Sequence, residues 1–225
     1  MTVDGVLGRD YHERRKSRLS HRYRLQRRTQ EVLDAIRNHP PSSLEVVVDV
    51  GAADGEMIAS LRPHLDPDVF FLALDLSLPL LQVIDSDTAA AQADAAVLPV
   101  ADQSVDILIA TAVIEHVANP RQFAAEARRV LRPGGLALMT TPTPLMEKIA
   151  TRIGLLDDDQ HNETFNLDAL SALFAGHDFD ILDAYRFMLS PVGMPGEIFF
   201  ERCFRAIGLS GLMANQFVAA RRRES

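Results

Sequence analysis

Residues 44–56 read Leu-Glu-Val-Val-Val-Asp-Val-Gly-Ala-Ala-Asp-Gly-Glu, and the last nine of them, Val48–Glu56 (VDVGAADGE), set the reading of the whole chain. The apolar, β-branched run from Leu44 to Val50 has the character of a strand buried on both faces, as in a parallel sheet. Gly51–Gly55 turns the chain. Glu56–Arg62 then places Met57, Ile58 and Leu61 at helical spacing before Pro63 stops it. A strand, a glycine turn and a helix in direct succession open a βαβ unit.

The same alternation continues outward. Val69–Leu76 reads as a second buried strand and Leu78–Ile84 as a helix that tolerates Pro79 in its first turn. Ala91–Ala95 is expected as a third strand and Val105–Ala110 as a fourth. Arg121–Leu131 is an amphipathic helix stopped by Pro133-Gly134-Gly135, and Leu136–Thr141 is a fifth strand. Asn166 suits the N-cap of a helix over Leu167–Ala175, followed by strands at Ile181–Phe187 and Gln216–Ala220. Strands alternating with helices predict an α/β fold with a mostly parallel sheet and helices on both faces. Between the last two strands, Glu197–Ile207 reads as a helix. Its Phe199, Phe200 and Phe204 are expected in the core, or as a lid over an apolar acceptor, with Cys203 a small buried side chain. Upstream, residues 10–38 read as a helix carrying Leu25, Val32, Leu33 and Ile36 on one side, ended by Pro40-Pro41. The chain divides into a basic helical extension, 1–40, and one domain, 41–225.

The 225 residues suffice for one substantial core, and 47% are apolar. No apolar run approaches the roughly 20 residues of a membrane span, and the amino terminus lacks the pattern of a signal peptide; a cytoplasmic location is the expectation. One cysteine, Cys203, excludes an internal disulfide, and no cluster of His, Cys and carboxylates has metal-ligand spacing. The net charge of −8 is uneven: residues 9–28 hold nine cations against Asp10 and Glu13. The stretch Arg14–Arg28 reads either as a solvated helix facing an acidic body or as a surface for a polyanion or anionic headgroups. Oligomeric state is left open.

Three acids stand at or near the ends of the first three strands: Asp49, Asp75 and Asp94. In an open α/β sheet, ligands bind outside the carboxyl ends of the strands. Gly51 and Gly55 permit a sharp turn and close backbone approach. Asp75, 24 residues beyond Gly51, is placed to bind both ribose hydroxyls of a nucleotide. Asp94, beside Ala95, suits an adenine amino group. A dinucleotide would want G-x-G-x-x-G, with its pyrophosphate at the helix start. Here Asp54 and Glu56 would repel it, whereas a cationic sulfonium cofactor without phosphates suits acidic surroundings.

These residues resemble the class I S-adenosylmethionine (SAM)-dependent methyltransferases, in the branch that includes ubiquinone and menaquinone biosynthetic enzymes. VDVGAADGE (48–56) is similar to that family's first motif, with Ala53 in place of its middle glycine, and LALDLS (72–77) to its second. QADAAVLPVADQSVDILIATAVIEHVANP (92–120) and RRVLRPGGLALMTTP (128–142) resemble the following stretches in order. The resemblance implies a Rossmann-like sheet of seven mostly parallel strands with the last antiparallel, and SAM as cofactor. Asp49, Gly51, Ala52, Ala53 and Gly55 would surround its methionine part. Asp75 and Leu76 would meet the ribose and adenine, and Asp94 and Ala95 the adenine edge. Thr111, Ala112 and His116 would line the remainder.

Methyl transfer from a sulfonium needs orientation more than a catalytic group. Where a base is required, His116 and His161 are the candidates, beside bland readings of each as a packed and a loop histidine. Three functions stay open. The first is methylation of a small-molecule, lipid-like or glycan acceptor. The second is methylation of nucleic acid or another polyanion through Arg14–Arg28. The third is an NAD-type oxidoreductase or non-catalytic SAM-binding module.

Overall fold

The computed structural model describes residues 19–146, 148, 164–190 and 192–224. Helix α1 (Leu19–Asn38) leads into β1 (Val46–Val50), α2 (Glu56–Leu61), β2 (Phe70–Asp75), the single turn α3 (Leu78–Leu81) and β3 (Ala89–Gln92). Then come β4 (Val105–Thr111), α4 (Pro120–Val130), β5 (Leu131–Pro142), α5 (Leu167–Ala175), β6 (Phe179–Phe187), α6 (Glu197–Ala206) and β7 (Asn215–Arg222). Among the described residues, seven strands form one sheet in the order β3-β2-β1-β4-β5-β7-β6. Strands β1 to β5 pair in parallel, and β7 runs antiparallel to both β5 and β6. The expected α/β class and the antiparallel last strand are borne out.

Strand parity sorts the core into two layers. Val48, Val50, Leu108 and Ala110 join Phe123, Ala127 and Phe174 on one face of the sheet. Val47, Ile107 and Ile109 join Val32, Leu33 and Ile36 of α1 and Met57, Ile58 and Leu61 of α2 on the other. Strand order reverses between β1 and β4, so the crevice for a ligand opens at their carboxyl ends.

Several elements differ from the sequence reading. The third strand is shifted upstream to Ala89–Gln92, which leaves Asp94 in a turn where its Oδ1 accepts the Ala96 amide at 2.8 Å. Asp in that role competes with a strand ladder. The helix expected over Leu78–Ile84 lasts one turn and continues as bends with i→i−3 bonds from Val83 and Ile84. Pro133-Gly134-Gly135 lies inside β5, which starts at Leu131. Gly134, at φ +78°, accompanies a register slip against β4.

The largest difference concerns α6. Its phenylalanines do not enter the core: Phe199 is 67% exposed, Phe200 is exposed as well, and so is Cys203. The inward face instead carries Glu197 and Glu201. Arg27 of α1 explains the inversion. Its Nη1 and Nη2 donate to Glu201 Oε1 and Oε2 at 2.7 and 3.0 Å, and Nη2 also donates to Glu31 Oε1 at 3.1 Å. Tyr23 Oη donates to Glu197 Oε2 at 2.5 Å, and Glu201 also accepts the Met188 amide at 2.9 Å. Burial pushes against the Arg27 charge, but Glu201, Tyr23 and Glu31 more than offset it and hold the guanidinium protonated. An apolar face cannot supply such partners, so the charged face turns in.

Removing one member of a buried ion pair strands the other. Arg27→Met is therefore expected to lose about 3–5 kcal/mol of unfolding free energy in urea titrations. Arg37→Met, whose exposed partner is Asp34, should change it by less than about 1 kcal/mol.

Candidate functional site

The turn after β1 is held in left-handed backbone at three residues: Gly51 (φ +72°), Ala53 (φ +49°) and Gly55 (φ +78°). The amides of Gly51 and Ala52 both donate to the Leu74 carbonyl, at 2.7 and 3.0 Å, tying the turn to β2. Ala53 tolerates a conformation that favours glycine because its amide donates to Asp75 Oδ2 at 2.8 Å. The other oxygen of Asp75 accepts the Ser77 amide at 2.7 Å. Across the crevice, Ala112 is a second non-glycine residue at positive φ (+57°), fixed by its amide to the Thr140 carbonyl at 2.8 Å. Strained backbone that the surrounding structure enforces concentrates at functional sites.

The acids along this edge differ from acids elsewhere. Asp106, at the opposite end of β4, is also buried, and burial alone would raise its pKa. Ser43, Arg132 and the amides of Glu45 and Val46 more than offset that and hold it below the usual carboxylate range. Asp49 has no such help. It is 2% exposed, and its Oδ2 has no hydrogen-bond partner. Burial, and then the charge of Asp75, push its carboxyl from an ordinary 3.8 up to about 8. Glu115, on the 3₁₀ turn Ile114–His116 beyond β4, is buried and its carboxyl is likewise raised by burial. The Thr140 hydroxyl and Gln216 Oε1 are buried without partners. Register places Thr140 beside Thr111, and Gln216 beside Thr141. Buried polar atoms are nearly always hydrogen-bonded. Orphans gathered at the carboxyl edge of β1, β5 and the start of β7 are groups a ligand would satisfy.

Comparison with known proteins agrees with this geometry. Residues 48–139 match the family described as methyltransferase domain. That match runs from β1 into β5. It is similar to a malonyl-[acyl-carrier protein] O-methyltransferase of Marinomonas sp., 29% identical over 153 residues, which cover 64% of this chain and 56% of the relative. A putative 23S rRNA (guanine-N(1)-)-methyltransferase of Micromonospora griseorubida is 35% identical over 142 residues, covering 60% of this chain and 45% of the relative. Thus the chain spans about half the length of these curated relatives. Among solved structures, a SAM-dependent methyltransferase of Thermotoga maritima superposes with a TM-score of 0.70 at 16% identity, covering 94% of this chain and 95% of that one. The resemblance read from the motifs is borne out, with S-adenosylmethionine as the cofactor of the domain.

The residues of this methyltransferase domain fit that cofactor. An orphaned buried carboxylate, Asp49, suits a cationic ligand. Asp75 is only half-buried and retains acceptor capacity for hydroxyl donors beyond its two amides. The loop members Asp49, Gly51, Ala52, Ala53 and Gly55 lie together with Asp75, while Thr111, Ala112 and half-buried His116 lie past β4 on the same edge. Leu76 is exposed at the lip, and its carbonyl accepts from Gln92 Nε2 at 2.7 Å. Ala95 is buried whereas Asp94 is exposed, in a turn beyond β3 rather than at its end. His161 lies outside the described residues.

Glu115, Thr140, Gln216 and Asn215 were not singled out from the sequence as site residues. Polar residues at the ends of apolar strands were the available signal. Arg28, whose Nη2 donates to Asn215 Oδ1 at 3.2 Å, reaches this edge from α1.

Two tests follow from the geometry. A Cβ at Gly51 would sit 2.3 Å from Val113 Cγ2; Gly51→Ala should lose about 1–3 kcal/mol of stability. Ala53→Gly, which relieves a left-handed alanine, should stay within about 1 kcal/mol of the parent in the same urea titration. Asp49 holds its proton in the folded state up to about pH 8, while the unfolded chain releases it near 3.8. Stability gained from the neutral acid is therefore present below about pH 4 and falls as pH rises towards about 8. The difference in unfolding free energy between wild type and Asp49→Asn should decline over that window; a flat difference would refute the buried, neutral Asp49.

Proposed function

We propose that this chain transfers a methyl group from S-adenosylmethionine to a small-molecule or lipid-like acceptor by in-line displacement. The observation that carries the reading is the orphaned Asp49 carboxyl beneath a left-handed loop whose Ala53 amide is bound by Asp75. Asp49, Gly51, Ala52, Ala53 and Gly55 would hold the methionine end, and Asp75 with Leu76 the ribose and adenine. Asp94 and Ala95 would meet the adenine edge, and Thr111, Ala112 and His116 the remaining wall. When bound, the cofactor supplies an electrophilic methyl on a cationic sulfur.

The protein's work is placement. An ionised Asp49 offsets cationic charge that the apolar floor of β1 and β4 would otherwise penalise. Rigid backbone at Gly51 and Ala112 fixes the two walls of the crevice. Orientation of this kind can supply up to about 7–11 kcal/mol of a barrier. Where the acceptor holds a proton, half-buried His116 would take it.

The names of the relatives divide over the acceptor, one acting on malonyl-[acyl-carrier protein] and one, by its name, on 23S rRNA. Electrostatics favour the smaller acceptor. Asp75 stands in the crevice and Asp54 and Glu56 at its loop, acids that repel a polyanion. The cations of α1 nearest the core are engaged within the protein: Arg27 by Glu201 and Glu31, and Arg28 by Asn215.

Titration calorimetry tests the reading. Wild type is expected to bind SAM in the micromolar range and to give no heat with NAD. Asp75→Ala should weaken SAM binding about tenfold to a hundredfold, as for loss of charge-assisted hydrogen bonds. Binding of NAD with indifference to SAM would overturn the assignment. RNA binding that falls steeply with salt would overturn the small acceptor while leaving the cofactor intact.

A further inference from the structure

Gln216, near the start of β7, is fully buried and held in one orientation. Its Nε2 donates to the Phe165 carbonyl at 2.6 Å and to the Pro142 carbonyl at 3.4 Å. A backbone carbonyl only accepts, so these two contacts settle which end of the side-chain amide is nitrogen. Oε1 is left as an acceptor without a donor. Thr141 lies opposite Gln216 in register, and its hydroxyl stands close enough to the Glu115 carboxyl to ease ionisation there. Glu115 is 1% exposed, and its Oε2 likewise has no donor. Met139 and Val218 belong to the core layer of Ile114 and Phe174. Thr141 and Gln216, two positions further along their strands, end that same face at the carboxyl edge of β5.

The cofactor leaves this pair unused. The residues that would hold it follow β1, β2, β3 and β4, whereas Thr141 and Gln216 stand on β5 and β7, on the other side of β4. Glu115, in the 3₁₀ turn Ile114–His116 beyond β4, joins the two regions. A buried acceptor left unsatisfied costs about 1–3 kcal/mol, so two of them in one place call for a ligand with hydrogens to give. An amide oxygen only accepts, and a carboxyl accepts at both oxygens once ionised. A carboxylate ligand brings no hydrogen and sets a like charge against Glu115. A hydroxyl brings one. The nitrogen of a primary amine brings two, one for each orphaned oxygen.

We propose that Gln216 and Glu115 select an acceptor bearing a primary amine and hold its nitrogen for methylation, an inference that rests on the proposed methyl transfer. The nitrogen lone pair forms the new N–C bond while the C–S bond breaks with its electron pair going to sulfur. The nitrogen then releases one hydrogen as a proton to half-buried His116. Its other hydrogen stays on the Gln216 oxygen, which accepts a hydrogen bond and takes no proton. A site built to hydrogen-bond its substrate rejects an analogue lacking the donor far more strongly than an apolar wall does. Selection at Gln216 and Glu115 therefore acts on the nucleophile, while the rest of the acceptor is free to be small or lipid-like.

Titration calorimetry of the full chain with three adenosyl ligands tests it. Sinefungin carries an amine on the carbon that replaces the sulfonium and its methyl. SAM carries positive charge there without an N–H, and S-adenosylhomocysteine carries neither. Gln216→Leu should weaken sinefungin binding about tenfold, as for loss of a hydrogen bond to a charged group, and leave the other two ligands within about twofold of wild type. Glu115→Gln, of similar volume, should also weaken sinefungin about tenfold and spare SAM. It decides the matter alone if Gln216→Leu unfolds for want of a donor to the Phe165 carbonyl. In a variant that keeps the wild-type thermal midpoint, equal losses for all three ligands mark a structural residue and overturn the proposal. Sinefungin binding that the variants leave intact overturns it as well. Wild type that binds none of the three overturns the cofactor reading, and this one with it.

Discussion

Everything at the candidate site hangs on the way the chain leaves β1. Five residues must carry it from a fully buried strand to the start of α2, and they do so with left-handed backbone at Gly51, Ala53 and Gly55. That path is sterically narrow. Val113 fills the space where a Gly51 side chain would be, and Ile84 packs against Gly55. The turn is then tied to β2 twice, through the Leu74 carbonyl and the Asp75 carboxylate. As a result the acid that would bind the ribose also holds the loop that would bind the methionine. One carboxylate couples the two halves of the crevice, and Asp49 is left buried beneath them without a partner.

Buried charge has two uses in this molecule, and their surroundings tell them apart. Asp106, Glu197 and Glu201 each accept several hydrogen bonds from neighbouring elements. Such fully partnered acids fix the relative position of strands and helices. Asp49 lacks a donor to its Oδ2 and is held near neutrality by its surroundings. A carboxyl poised to ionise when a cation arrives is costly to keep empty, which is a reason to read it as a binding group. The same contrast explains α6. Its inward carboxylates are satisfied by α1, so the helix is held with its apolar side to the solvent.

Much of the architecture was legible because buried parallel strands and glycine turns leave strong local marks. Val46–Val50 and Val105–Thr111 are mostly apolar runs with a single aspartate each, and Asn166 caps α5 as its side-chain chemistry suggests, accepting the Ala169 amide at 2.8 Å. The third strand was misplaced because Ala89–Gln92 is alanine-rich and carries no β-branched signal. Asp49 and Asp75 were visible as strand-end acids. Thr140 and Gln216 were not, since their significance lies in facing a shared crevice from strands far apart in the chain.

The sequence by itself determined the α/β alternation, the glycine turn and the acids that disfavour a pyrophosphate, because each depends on residues within a few positions of one another. Tertiary structure alone decided which buried acids are satisfied and which face α6 presents. Both depend on partners distant in the chain, 63 residues away for Ser43 and Asp106 and 174 for Arg27 and Glu201. Helical spacing shows that α6 has two faces; only the charge waiting in α1 determines which of them is turned inward.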